Sequence, residues 1–366
     1  MKIVHLEAGR HLYGGAQQVC YLIDELARGG IENVLVCPPG AAFTRRAAAA
    51  EVVEVPIAGD LDLGLVRRLR RLFVSLKPDL VHVHSRRGAD LYGGLAARSR
   101  WPAVLTRRVD SAEWQRWARF KYGRYAALVA ISRIVESRLL DAGLPRERVH
   151  RVPSGIDTER FRPDPAARAR LLDAFSLPPD AFVVGVIAQL IPRKGHERLL
   201  GRIPVLVAKH PRLVVLGFGR GPLAGRLAKQ VSANSLQRHV KLAGFRDDLA
   251  SLLPGLDAVL HPARGEGMGV AVLEALSAGV PVVASRVGGI VDVIEHGVHG
   301  LLVEPGDQRG WVGAVEQLLA DPDARRRYGA AGRRRVQEQF SASRMAAGNL
   351  RIYEAVLGAA HGTSDT

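Results

Sequence analysis

Two glutamates separated by seven residues mark the segment with the most chemistry in this chain, Arg264-Gly-Glu-Gly-Met-Gly-Val-Ala-Val-Leu-Glu274. Its glycines, Gly267 and Gly269, let backbone come close to a ligand. A helix opening near Gly269 offers unpaired N–H groups and a positive dipole end, which suits an anion such as a diphosphate. Carboxylates beside such a site repel the anion itself, so their use there is recognition of hydroxyls. Glu266 is placed to read sugar hydroxyls and Glu274 to grip the vicinal pair of a ribose. Glu274 lies among Val270, Ala271, Val272, Leu273, Ala275 and Leu276, and an unpaired charge on a buried helix is costly. Arg193 and Lys194 follow a predicted strand and can neutralise a diphosphate as it departs. Gly14-Gly15, between the first strand and a helix, makes a second loop where backbone can touch phosphate or sugar. His84 closes an apolar strand, where a core histidine and a functional one fit equally well. Asp60-Leu-Asp62 has the Asp-any-Asp form of some metal sites, but its place before a helix reads as an N-cap or turn. With no clustered His and Cys ligands in the sequence, no metal is expected.

These residues need elements to hold them, and the pattern supplies two series. Lys2–Glu7, Asn33–Cys37, Val52–Val55, Leu80–His84, Ala103–Thr106, Leu128–Ile131 and Val149–Val152 read as strands. Phe182–Ile187, Leu213–Leu216, Val240–Leu242, Ala258–Leu260, Val282–Ala284 and Leu301–Val303 form the second set. Helical stretches intervene, such as Leu63–Lys77 with Leu65, Leu69, Leu72, Phe73 and Leu76 on one face. Apolar runs alternating with helices predict parallel strands covered on both faces, hence an α/β fold of two Rossmann-like, doubly wound domains. Ligands in such sheets sit beyond the carboxyl ends of the strands, in a central cleft if two domains face each other. Ser176-Leu-Pro-Pro-Asp180 is the strongest break, placing the hinge between about Pro163 and Asp180. The domains are accordingly expected at 1–165 and 166–340, with a last helix at 341–359 and a disordered tail at 360–366.

The 366 residues suit two domains, and 47% hydrophobic content excludes a disordered chain. Met1–Glu7 has no charged head followed by a long apolar stretch, and no run of about 18 apolar residues occurs. Two cysteines, Cys20 and Cys37, fit a reducing compartment, so the expected location is the cytoplasm. Basic residues number 52 against 36 acidic, a net +16, and only seven of them are lysine. An arginine-biased genome gives such a balance, and so does attraction to phosphates, an anionic membrane face or nucleic acid. Between Arg107 and Arg124, the cations Arg107, Arg108, Arg116, Arg119, Lys121 and Arg124 interleave with Trp114, Trp117, Phe120 and Tyr122. With Arg67, Arg68, Arg70 and Arg71 they suggest a surface for the inner face of a membrane or for a lipid-linked phosphorylated acceptor, unless the aromatics pack inward. The Arg325–Arg327 and Arg333–Arg335 runs read as solvated helix faces. No nucleic-acid module is recognisable, so nucleic acid is not an expected partner.

The segment Glu266-Gly-Met-Gly-Val-Ala-Val-Leu-Glu-Ala-Leu-Ser-Ala-Gly-Val-Pro-Val-Val283 resembles the retaining glycosyltransferases of the GT-B fold, family 4 type. Tyr13-Gly-Gly-Ala-Gln17, Pro78-Asp-Leu-Val-His-Val-His84, Val152-Pro-Ser-Gly-Ile-Asp157, Ile187 to Gly195 and Gly217-Phe-Gly219 follow that family's order. The resemblance implies transfer of a sugar, with retention and without metal, from a UDP- or GDP-linked donor that is a co-substrate, with no further cofactor. It implies Glu266 and Lys194 as catalytic residues. It implies a donor site of Gly14, Gly15, Arg193, Lys194, Gly219, Phe245, Glu266, Gly267, Met268, Gly269, Val270 and Glu274. His84, Arg108 and Asp110 fall near the acceptor or the transferred sugar, and the final helix crosses back to the first domain. Relatives carry arginine at Gln189 and a histidine two residues after Thr106. Here Arg108 holds the latter place, so a permanent cation replaces that histidine or Asp110 shares its work. The implied acceptor is an envelope glycan or lipid-linked glycan such as lipopolysaccharide core. A soluble-acceptor transferase, a nucleotide-sugar epimerase of the same architecture and a non-enzymatic polyanion binder are the alternatives.

Overall fold

The computed structural model describes residues 1–98 and 100–362. The chain divides into two compact units, Met1–Gly155 joined by the segment from Ser341 onward, and Ile156–Phe340. In the first unit seven parallel strands lie in the order β3-β2-β1-β4-β5-β6-β7. They are β1 (Lys2–Leu6), β2 (Glu32–Cys37), β3 (Glu51–Glu54), β4 (Leu80–Val83), β5 (Ala103–Arg107), β6 (Ala127–Ala130) and β7 (Val149–Arg151). The second unit repeats the design with six, β10-β9-β8-β11-β12-β13. These are β8 (Phe182–Ile187), β9 (Leu213–Phe218), β10 (Val240–Gly244), β11 (Ala258–His261), β12 (Val282–Ser285) and β13 (Leu301–Val303). All thirteen strands fall where the apolar runs predicted them. β1, β2, β4, β6, β8 and β9 are buried over nearly their whole length, as a parallel sheet covered by helices requires.

In each sheet the strand order reverses once, between β1 and β4 and between β8 and β11. Loops leaving the two strands at such a reversal diverge and open a crevice at their carboxyl ends. Gly14-Gly15 and His84 stand at the first reversal, and Lys194 and Glu266 at the second. One core of the second unit gathers Val184, Val186, Val215, Leu260 and Val283 with Leu199, Leu206, Leu227, Trp311 and Val315 from the helices on that face. Helix Val270–Ser277 lies elsewhere, against helix Pro322–Gln339.

The unit boundary differs from the expected hinge. Ile156–Pro163 belongs to the second unit, where Ser277 Oγ donates to the Phe161 carbonyl at 2.6 Å. The chain crosses between units at Gly155–Ile156 and returns at Phe340–Ser341, and Ile156 N donates to Phe340 O at 2.8 Å. Ser176-Leu-Pro-Pro-Asp180 is the turn between helix Ala167–Phe175 and β8, inside one unit. The last helix, Ala342–Gly362, packs in the first unit on helix Gly14–Arg28. It runs into the segment expected as a tail from residue 360, and residues 363–366 lie outside the described residues.

Candidate active site

In the second unit, three segments are locked together beyond the strand ends. Arg264 N donates to Arg193 O at 2.8 Å, and Gly289 N donates to Glu266 O at 3.0 Å. Contact this close demands glycine. A Cβ on Gly195, whose φ is +75°, would stand 1.9 Å from Pro262 O, and one on Gly288 would stand 1.9 Å from Glu266 O. The backbone thus fixes Lys194 beside the loop that carries Glu266.

Lys194 Nζ forms a short ion pair with Glu266 Oε2, and the same oxygen accepts from His261 Nε2 at 3.0 Å. Burial pushes the Glu266 carboxyl up, but the hydrogen bond from His261 and the charge of Lys194 outweigh it and hold it well below the usual carboxylate range. Burial keeps His261 neutral, so its Nε2–H is the donor. Arg193 is exposed and reaches Gly265 O at 3.3 Å.

Helix Val270–Ser277 begins after Gly269 with no side chain capping it and no acid in its first turn, which leaves its first N–H groups to a ligand. Met268 is buried under this start and Val270 is half-buried. Glu274 is only 7% exposed. Among the described residues nothing hydrogen-bonds its carboxyl, and burial raises it to about 7 against a weaker pull from Arg160. A buried carboxylate left without a protein partner is a standing cost that a ligand's hydroxyls can relieve. Gly219 follows β9, and Phe245 follows β10 with 39% exposure and the Arg220 guanidinium 4.4 Å over its ring. Neither touches the Lys194–Glu266 pair by any hydrogen bond.

The first unit holds a different cluster. His5 on β1 is in register with His82 on β4, and His84 follows two residues on. His5 Nδ1 lies 3.0 Å from His84 Nε2, and His5 Nε2 lies 3.0 Å from Asn33 Oδ1. His82 Nδ1 meets Tyr353 OH at 2.6 Å and its Nε2 meets Thr106 Oγ1 at 2.7 Å. Burial drives all three histidines toward neutrality. One ring nitrogen from each lies within 4.8 Å of the other two, the one group among the described residues spaced to hold a metal ion. This corrects the reading that no histidines cluster, although all three rings already share hydrogen bonds. Arg108, half-buried, sends Nη2 to His84 Nδ1 at 3.4 Å and lies against the turn at Gly15, where a Cβ would stand 3.7 Å from its Cδ. Gly14 opens the adjoining helix, Gly14–Arg28. The Asp110 side chain makes no hydrogen bond or ion pair among the described residues. Asp62 accepts from Ala58 N at 2.9 Å and pairs with Arg68, a turn role as its position suggested.

The basic-aromatic segment splits in two. Trp114 is 72% exposed, Trp117 and Phe120 stack on each other at the surface, and Arg124 covers the Phe120 ring at 3.9 Å. Arg107 and Lys121 instead turn inward. Lys121 Nζ bridges Asp90 and Glu113, each at 2.9 Å, and Arg107 Nη1 donates to Tyr122 OH at 2.8 Å. Those two cations therefore leave the surface patch, as paired buried charges must. Arg67, Arg70 and Arg71 are exposed and Arg68 is half-buried. In the later runs, Arg325, Arg333 and Arg335 donate to the carbonyls of Leu318, Ser277 and Asp292, so these are not purely solvated faces.

Sequence reasoning missed His5 and His261. Both sit on apolar strands and read as core, and only register and loop return show what they meet.

Two family descriptions match the chain. "Glycosyl transferases group 1" covers residues 168–335 and "Glycosyltransferase Family 4" covers residues 13–160. A GDP-mannose-dependent alpha-(1-6)-phosphatidylinositol monomannoside mannosyltransferase of Mycolicibacterium smegmatis is 36% identical over 214 residues, 56% of this chain and 55% of that protein. The chain thus spans about half the length of that relative. The lipopolysaccharide core biosynthesis glycosyltransferase LpsE of Rhizobium meliloti is 28% identical over 349 residues, 93% of this chain and 95% of its own. Among solved structures, Anabaena Alr3699/HepE in complex with UDP superposes with a TM-score of 0.84 at 20% identity, covering 97% of this chain and 100% of that one.

Proposed function

We propose, from the premise that this chain belongs to the group 1, family 4 type of glycosyltransferases and has their two-domain α/β GT-B fold, that it transfers a sugar from a nucleotide-sugar donor to a hydroxyl of an envelope or lipid-linked glycan. The observation that carries this reading is the conjunction in the second unit of an uncapped helix start, the Lys194–Glu266–His261 group and the partnerless Glu274. A diphosphate has charge for the helix start and for Lys194. A ribose has the vicinal hydroxyls that Glu274 can accept. The sugar brings further hydroxyls for Glu266, whose low proton affinity keeps it an acceptor throughout.

In the mechanism we propose, Lys194 and the N–H groups ahead of Val270 stabilise charge as it grows on the departing diphosphate. Together the lysine charge and the positive helix end do what a divalent ion does in other transferases, so turnover is proposed to need no metal. The acceptor hydroxyl approaches from the side the diphosphate leaves, a diphosphate oxygen takes its proton, and the anomeric configuration is retained. No carboxylate of the protein serves as nucleophile in this scheme.

The relatives support a donor linked to GDP or UDP: one is GDP-mannose-dependent, and HepE was solved with UDP. They also support an acceptor at the envelope, since their names give a phosphatidylinositol mannoside and a lipopolysaccharide core. No described helix is long and apolar enough to cross a membrane, so contact with an anionic bilayer is assigned to Trp114, Trp117, Phe120 and the exposed arginines near them.

The test is a panel of UDP- and GDP-sugars scored for nucleotide release with and without chelator. Release from one donor, unchanged by chelator and lost in Lys194→Ala, is the expected result. Release from none, or interconversion of sugars with no acceptor, contradicts the reading.

A further inference from the structure

The histidine cluster of the first unit is a directional chain, and its direction follows from one end. Asn33 Nδ2 donates to Ile31 O at 2.8 Å, which turns Asn33 Oδ1 toward His5. That oxygen only accepts, so His5 Nε2 carries its proton. His5 is neutral, so its Nδ1 accepts, and the donor 3.0 Å away is His84 Nε2–H. His84 is neutral too, so its Nδ1 is a lone pair, and it faces Arg108 Nη2 at 3.4 Å. Every proton in the chain is thereby placed. Arg108 donates to His84, His84 to His5, and His5 to Asn33.

This arrangement leaves Arg108 underused. Among the described residues only His84 accepts from it, and its Nε is buried with no partner. Glu7 lies near enough to feel its charge, but Glu7 is buried, gives one oxygen to Gly9 N at 2.7 Å, and has its proton affinity raised by burial. The side chain of Arg108 runs along Gly15, in the first turn of a helix that carries no capping side chain and no first-turn acid.

We infer that Arg108 is a substrate-contacting cation that holds a phosphate group at the Gly14–Gly15 turn, aimed there by the relay His84–His5–Asn33, in which both histidines are positioning residues. The inference rests on the glycosyl-transfer reading for what brings the phosphate, and on geometry alone for the relay. The phosphate is that of a phosphorylated acceptor, since the donor's diphosphate is assigned to the second unit.

Side-chain nitrogen NMR of the full chain, labelled at histidine, reads the relay without reference to activity. His5 and His84 should both appear neutral with the proton on Nε2 between pH 6 and 8. A proton on His84 Nδ1 overturns the relay. Binding then reads Arg108, with GDP and UDP as one set of probes and inorganic phosphate at saturating nucleotide as the other. Weaker nucleotide binding in Arg108→Ala contradicts an acceptor phosphate as its ligand. Unchanged nucleotide binding with lost phosphate binding places an acceptor phosphate there. If neither changes, Arg108 holds no phosphate. Function is read as nucleotide release: His84→Leu, which cannot accept, should lose about tenfold or more, while His84→Asn, whose Oδ1 stands where Nδ1 does and can accept from Arg108, should recover part of it. Equal rates in both variants contradict positioning. A wild-type chain that turns over no nucleotide sugar but keeps the predicted tautomers would fail the transfer reading and leave the relay standing.

Discussion

Glu274 and Glu266 show how two carboxylates eight positions apart acquire opposite characters. Glu266 is buried with a lysine and a histidine and stays ionised, whereas Glu274 is buried with neither and is raised to about 7. The unfolded chain releases the Glu274 proton near the ordinary 4.5, while the folded chain keeps it to about 7. Between those values the folded chain binds more protons, so free-protein stability falls as pH rises and then levels off. Above pH 7 the cost is about 3 kcal/mol, and Glu274→Gln should recover much of it, read as a higher urea midpoint at pH 8 and no gain at pH 4. Equal gains at both pH values would show that proton release is not the cause. The two glutamates and Lys194 were legible in the sequence because loop, helix and spacing are local. His261 was not, because its meeting with Glu266 depends on how the loop folds back over the strand end.

At the scale of elements, the site depends on segments that touch backbone to backbone. Gly195→Ala must move the turn at Pro192–Lys194 away from Pro262, since its Cβ would overlap a carbonyl oxygen. It should cost more than about 1 kcal/mol and lower Tm by about 3 °C or more. Calorimetry checks this, and an unchanged Tm would show that the loops are not locked. The returning helix has its own anchor in the Tyr353 hydroxyl on His82 at 2.6 Å. Tyr353→Phe strands a buried imidazole nitrogen and should cost about 1–3 kcal/mol in urea denaturation. A loss near zero would mean that the nitrogen finds another partner. All thirteen strands could be read because β-branched and apolar runs mark buried parallel strands well. The boundary could not. Ser176-Leu-Pro-Pro-Asp180 has a linker's composition, yet it closes a helix within one unit, while the true crossing follows the shorter Pro153-Ser-Gly155, which sits directly after a strand and reads as an ordinary turn.

For the whole molecule, net charge and surface aromatics bear on where it works. With a formal charge of +16 and the exposed rings of Trp114, Trp117 and Phe120 on one segment, the chain should sediment with phosphatidylglycerol vesicles and not with phosphatidylcholine ones. Raising salt to 0.5 M should weaken the attachment through screening, and Trp114→Ser with Trp117→Ser should weaken it with charge unchanged. Equal sedimentation of wild type and double variant would remove the aromatics from the account. Sequence alone left open whether these rings face in or out, because helical spacing over eight residues serves a core and a surface equally. The central claim is that the second unit holds a nucleoside diphosphate by Lys194, the helix start before Val270 and an ionised Glu274. Calorimetric titration of the full chain with GDP and UDP at pH 6 and pH 8 tests it most directly. One nucleotide should bind, more tightly at pH 8, with Lys194→Ala weakening it at both values and Glu274→Ala weakening it and flattening the pH dependence. Binding indifferent to both substitutions, or no binding of either nucleotide, would contradict it.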